Sequence, residues 1–178
     1  MSAFSNIVGF VKNHGKAIGV VAASATAFAA TAVCTSKAIT KVDTIKKEQN
    51  ERLQEVKEVL DDPNIPESKY SHEDAANDTR IIKGQAIVKS VKSFIPVISI
   101  VGGSIVASKI FDTPIVFIAS MLGGTAGATH LFISDPSISK SEKVKAVSES
   151  MVISTILLLT FPILNLIRFS VKGEATNG

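Results

Sequence analysis

Twenty consecutive residues without a charge, 17–36, lie between Lys12 and Lys16 on one side and Lys37 on the other. As a helix rising about 1.5 Å per residue, this run covers about 30 Å, the thickness of a bilayer's hydrocarbon core. Three further uncharged runs follow at 93–108, 113–134 and 151–167, the first between Lys92 and Lys109 and the last ending at Arg168. Charge is segregated to match: 11 of the 19 Lys and Arg and 11 of the 16 Asp and Glu fall between Lys37 and Lys92. That segregation explains how a chain that is 20% charged keeps a positive mean hydropathy. The expected fold class is therefore all-α, a polytopic membrane protein with three or four transmembrane helices and an extramembrane antiparallel helical hairpin.

The organisation follows from the runs. Residues 1–36 form an N-terminal segment and first transmembrane helix, rich in Ala, Ser and Thr, with the small-residue pairs Ala23/Ala27 and Ala25/Ala29 four apart. A secretory signal cleaved near Ala30 or Ala32 is the alternative, but the apolar stretch is long for one. Bulky Val33 before Cys34 argues against a lipoprotein site. From Lys37 to Leu60, Ile39, Val42, Ile45, Leu53, Val56 and Leu60 recur at roughly helical spacing, and Asp43/Lys47 and Glu48/Arg52 are acid-to-base pairs four apart. Pro63 and Pro66 end this helix. Ser71, followed by Glu73 and Asp74, starts another. Two arms of about 35 Å then make residues 37–92 a charged helical hairpin, flexible charged linkers being the alternative.

Residues 93–134 read as a transmembrane hairpin, with Lys109 and Asp112 at a tight turn and Pro114 in the first turn of the second helix. The alternative is a short 93–108 run that dips into the membrane without crossing it, which leaves the choice between three spans and four open. Gly102, Gly103, Gly123, Gly124 and Gly127 are the candidate site residues, for helix packing: glycine lets backbones approach closely, and these two helices are expected to pack on each other or on copies of themselves. Residues 135–150 form a polar loop with a short interfacial helix, for which Ser139 and Glu142 are placed as a capping box. Residues 151–178 supply the last transmembrane helix and a basic tail. The excess of basic residues puts the central segment and the 135–150 loop in the cytoplasm, and both termini outside.

The search for chemistry returns no catalytic, metal or cofactor constellation. Gly15-Lys16 lacks the earlier glycine and the following Ser or Thr of a phosphate-binding loop, and the glycine pairs lack a strand-turn-helix setting. His14, His72 and His130 are far apart, and His130, near the end of an apolar run, reads as an interfacial histidine. No Asp or Glu lies inside any run, which speaks against an ion-coupled transporter. Cys34 is the single cysteine, so no intrachain disulfide can form. A net charge of +3 raises nucleic acid as a partner, but Trp is absent, Tyr70 is alone, and bases alternate with acids, so no nucleic-acid binding is expected. The chain is read as non-enzymatic, with no cofactor.

The basic-apolar N-terminus, the Thr35-Ser36-Lys37-Ala38 exit into a charged helix, and Ser93-Phe94-Ile95-Pro96-Val97 opening a Gly- and Ser-containing span resemble small phage-encoded membrane proteins of uncharacterised function, over about the first 110 residues. The resemblance implies a viral protein of a virion membrane or of the inner membrane of an infected cell. Two functions are then in play. One is a structural or scaffolding membrane protein that self-associates in the lipid bilayer and binds a soluble protein partner through residues 37–92. The other is a holin-like pore former, which would have less use for a long charged hairpin.

Overall fold

A computed structural model describes residues 3–156, with side chains from residue 14 onward. Its helices are α1 (Ala3–Asp61), α2 (His72–Ser93), α3 (Ile95–Ile110) and α4 (Ile115–Ser134). A further helix, α5, begins at residue 140 and is described as far as 156. Among the described residues there is no strand. Among the described residues, three stretches are long and apolar enough to cross a membrane: His14–Asp61, His72–Ile110 and Ile115–Ser134. Of the expected last span only residues 151–156 are described, and the rest of it, with the basic tail, lies outside the described residues.

The helix boundaries follow from local chemistry. No proline occurs before Pro63, so nothing interrupts the backbone ladder of α1 until Asp61, and the expected run of helix from the apolar segment into the charged one is continuous. Asp62 then turns the chain, accepting from the Asn64 backbone N–H at 2.8 Å. Ser71 caps α2 by a full capping box: its hydroxyl accepts from the Asp74 backbone N–H, and the Asp74 carboxylate accepts from the Ser71 backbone N–H at 2.9 Å. Between α2 and α3, Phe94 stays near helical dihedrals and bonds back only three residues, to Val91. Pro96 falls in the first turn of α3, where its missing N–H costs nothing.

The turn after α3 is a Schellman motif. The Thr113 N–H reaches the Ser108 carbonyl, the Asp112 N–H reaches that of Lys109, and Asp112 takes φ 53°, a place usually held by glycine. α5 opens on the anticipated Ser139/Glu142 capping box, with both reciprocal bonds present. Residues 140–156 contain neither Gly nor Pro, so the helix runs past residue 150 without a break. The 135–150 segment is thus a loop only as far as Ser139.

The chain forms two compact units, residues 1–36 with 97–178, and residues 37–96. In the second, the charged part of α1 packs on α2. Ile45, Ala75, Ile82 and Ala86 are its buried apolar side chains alongside Ala38. Glu48 pairs with Lys89 at 3.8 Å, and Arg52 donates to Gln85 at 2.9 Å. Residue numbers rise on one helix as they fall on the other, so the two run antiparallel. The Glu48 and Arg52 side chains that the sequence would pair along one helix here bridge two.

In the first unit, α3 and α4 are antiparallel. Ser104 and Ser120, buried on facing sides, share a hydroxyl hydrogen bond of 2.8 Å. Ser108 of α3 accepts from the Phe117 backbone N–H at 3.0 Å. That N–H sits in the first turn of α4, where the helix itself provides no acceptor.

Candidate functional site

The closest helix contact in the first unit is made by two of the five candidate glycines. A Cβ built on Gly123 would fall against the Phe28 carbonyl oxygen and 2.9 Å from Phe28 Cα; one built on Gly127 would meet Ala32 in the same way. Four residues separate the members of each pair, so one turn of α4 lies backbone to backbone on one turn of α1. Val116, Ser120, Gly123 and Gly127 form the buried stripe of α4, and Ala27, Thr31 and Thr35 are buried on α1. Ser36 donates to the Gly127 carbonyl at 2.9 Å. At the other end of the contact, Gly19 faces the Phe111 ring.

These pairings rise together, 19 with 111, 28 with 123 and 32 with 127, so α4 runs parallel to α1. The offset of 95 residues at the two glycine contacts, and of 92 between Gly19 and Phe111, puts Lys16 within about one turn of Phe111 and Ser36 within about one turn of Leu131. The uncharged run of α1 and the length of α4 therefore coincide, and Lys16, Lys109 and Asp112 gather at one end of the bundle.

The other three glycines behave differently. Gly124 makes ordinary contact with Thr31 Cγ2 at 3.5 Å and Thr35 Oγ1 at 3.7 Å, while Gly102 and Gly103 have nothing within 4 Å. Within the chain, serines join the two helices of the 93–134 hairpin, and Gly123 and Gly127 lie against α1. Missing from the candidate residues were Thr31, Ser104 and Ser120, each no more than 4% exposed. Their signal was available as small or hydroxyl residues at helical spacing to the glycines. Thr31 satisfies its hydroxyl by donating to Ala27 O at 2.6 Å, whereas Ser24 Oγ and Thr35 Oγ1 are buried without a partner.

In the second unit, a cleft of about 310 Å³ lies between the end of α1 and the start of α2. Val56, Val59, Ile81 and Ile82 give it an apolar wall, and Arg52, Glu55, Tyr70 and Asp78 line it with polar groups. Tyr70 donates its hydroxyl to Asp78 at 2.9 Å, and removal from water together with that carboxylate holds its pKa above the usual phenol value. Asp74 titrates below the ordinary carboxylate range because it accepts from the Ser71 hydroxyl and backbone N–H. Glu142 is lowered in the same way by Ser139, and Asp135 by Ser137.

His72 opens α2, and His130 is exposed one turn before α4 ends. Among the described residues, no three His, Cys, Asp or Glu side chains converge to hold a metal ion. α5 lies beside the C-terminal half of α4, where Phe132, Thr129 and Thr125 line a groove with Glu142, Ala146 and Ile153.

Among the described residues these features define an all-helical protein, with three helices long and apolar enough to span a membrane and a close, glycine-mediated helix seam. Residues 10–110, more than half of the sequence, match a family of unknown function, DUF6353, and the chain belongs to that family. No curated protein and no solved structure matches it.

Proposed function

We propose that this chain is a non-enzymatic integral membrane protein with a structural or scaffolding role. In this reading α1, α3, α4 and the 151–167 segment cross the bilayer, copies associate laterally, and the antiparallel hairpin of residues 37–92 stands in the cytoplasm and binds a soluble protein partner. The resemblance to phage membrane proteins would locate it in a virion membrane or the inner membrane of an infected cell.

The observation that carries the proposal is the parallel seating of α4 on α1. Two spans in the same direction require the chain to return across the bilayer between them. α2 carries Arg80, Lys83, Lys89 and Lys92, which leaves α3 as the return helix. This supports four spans over a re-entrant 93–108 segment. With 16 residues α3 covers about 24 Å, and Lys109 at its end can reach the headgroups with an extended side chain. The cleft beside Tyr70 offers the hairpin a place to hold a partner.

A holin-like pore former draws less support. Thr31, Thr35, Ser104 and Ser120, whose hydroxyls a pore between copies would need to expose, are buried within one chain.

Carbonate extraction of membranes, combined with protease accessibility of residues 37–92 from each side, tests the proposal. Retention in the pellet with cleavage only from the cytoplasmic side is expected. Release into the supernatant would overturn it. Deleting most of residues 45–85 separates the two functions: loss of assembly with retained insertion fits a scaffold, and lysis that survives the deletion fits a pore.

A further inference from the structure

α5 carries basic residues where its own backbone disfavours them. The first turns of a helix present free N–H groups and the positive end of the macrodipole, which favours acids there. Lys140, Lys143 and Lys145 nevertheless fall in the first two turns of α5, against one acid, Glu142. Glu142 is committed to the cap, accepting from the Ser139 hydroxyl at 2.6 Å and the Ser139 backbone N–H at 3.1 Å. Asp135, whose carboxylate feels the charge of Lys143, accepts from the Ser137 hydroxyl and backbone N–H. Lys145 pairs with Glu149 at 3.9 Å. Lys140 and Lys143 make no ion pair among the described residues.

Those two side chains stand beside an apolar groove. Residues 140, 144, 147 and 151 are spaced four, three and four, which puts them on one face of α5. Val144, Val147 and Met151, with Ile133 of α4, wall a groove of about 460 Å³, and Lys140 and Lys143 are the charged residues that line it. Ile133, Val144 and Met151 are 40%, 63% and 65% exposed.

We propose that this groove binds an anionic phospholipid of the cytoplasmic leaflet, with the phosphate on Lys140 and Lys143 and one acyl chain along Val144, Val147 and Met151, an inference that rests on the membrane reading above. The dimensions suit that occupant. From residue 140 to residue 151 α5 rises about 16 Å, and one leaflet's share of the hydrocarbon core is about 15 Å. α5 lies beside the C-terminal half of α4, so in the proposed topology the lysines sit at the cytoplasmic headgroups and Met151 near the middle of the bilayer. Each lysine can lay its stem along the groove and keep its ammonium at the surface. The charge selects among lipids: a zwitterionic headgroup brings its own cation beside the two lysines, whereas an anionic one brings only the charge they lack. A soluble segment would have to enter the leaflet to reach Met151, where an acyl chain already is.

Bromine quenching of the full-length chain in phosphatidylcholine bilayers tests this. In a Cys34→Ser background, Val152→Cys, one turn beyond Ser148 and 57% exposed, carries a bimane label. A small share of the lipid is brominated on its acyl chains, as either phosphatidylglycerol or phosphatidylcholine, and each sample is also extracted with carbonate. Brominated phosphatidylglycerol is expected to quench at a several-fold lower mole fraction than brominated phosphatidylcholine. Lys140→Gln or Lys143→Gln should lower that preference about fivefold, the double variant should abolish it, and Lys145→Gln should keep most of it. Equal quenching by the two lipids, a preference that survives the double variant, or one that Lys145→Gln removes as fully, with the chain in the pellet, would overturn the site and leave the membrane reading standing. Chain in the supernatant would overturn the membrane reading itself, and the site with it.

Discussion

Replacing Gly123 with Ala adds one methyl group where there is no room for it. The new Cβ meets the Phe28 carbonyl oxygen and lies 2.9 Å from Phe28 Cα, both main-chain atoms of α1 that cannot rotate aside. α4 must draw back from α1, and forced overpacking of this kind costs about 1–3 kcal/mol. Alanine returns up to about 1 kcal/mol through its better helix propensity, so the net loss is up to about 2 kcal/mol. The matched control is Gly102→Ala, which gains the same propensity and meets nothing within 4 Å. It should be neutral or slightly stabilising. Gly127→Ala should resemble Gly123→Ala, and the double variant should lose less than the sum, because helices already separated at Gly123 have partly cleared Ala32 as well. Reversible unfolding in mixed micelles, followed by far-UV circular dichroism, reads all four variants on one scale. If Gly123→Ala unfolds no more easily than Gly102→Ala, the backbone contact is not what holds α4 to α1.

Three further outcomes follow from local geometry. Asp112→Gly should be neutral or stabilising and Asp112→Val destabilising by about 1–2 kcal/mol, since φ 53° suits glycine and opposes a β-branched residue; the same unfolding assay reads it. The folded Asp74 carboxyl titrates below the ordinary aspartate range, so its contribution is present above that range and lost as the pH falls through the lower folded value. Amide exchange at residues 72–75 should rise only under acid conditions below about pH 4, and Ser71→Ala should remove that acid-dependent step. In the hairpin, Lys89→Ala breaks an exposed ion pair and should change stability by less than about 1 kcal/mol, whereas Ile82→Ala empties a buried site at a cost of about 2–4 kcal/mol. Limited proteolysis of residues 37–92 should therefore accelerate for Ile82→Ala and hardly change for Lys89→Ala.

The sequence by itself determined the parts that depend on neighbours along the chain. The uncharged runs located the apolar stretches of α1, α3 and α4, the prolines ended α1, and Ser71/Asp74 and Ser139/Glu142 started helices, because capping and backbone breaks act within a few residues. The tight turn at Lys109 and Asp112 was legible for the same reason. Tertiary structure alone decided the partners. Gly123 and Gly127 face a helix about 95 residues away in the chain, while Gly102 and Gly103, also a glycine pair in an apolar helix, meet nothing within 4 Å. Glu48 and Arg52 turn from each other to α2. The parallel sense of α1 and α4 has no local signature either, since a small-residue stripe reads the same for a partner of either direction. Close packing is a property of two surfaces, and one stretch of sequence describes only one of them.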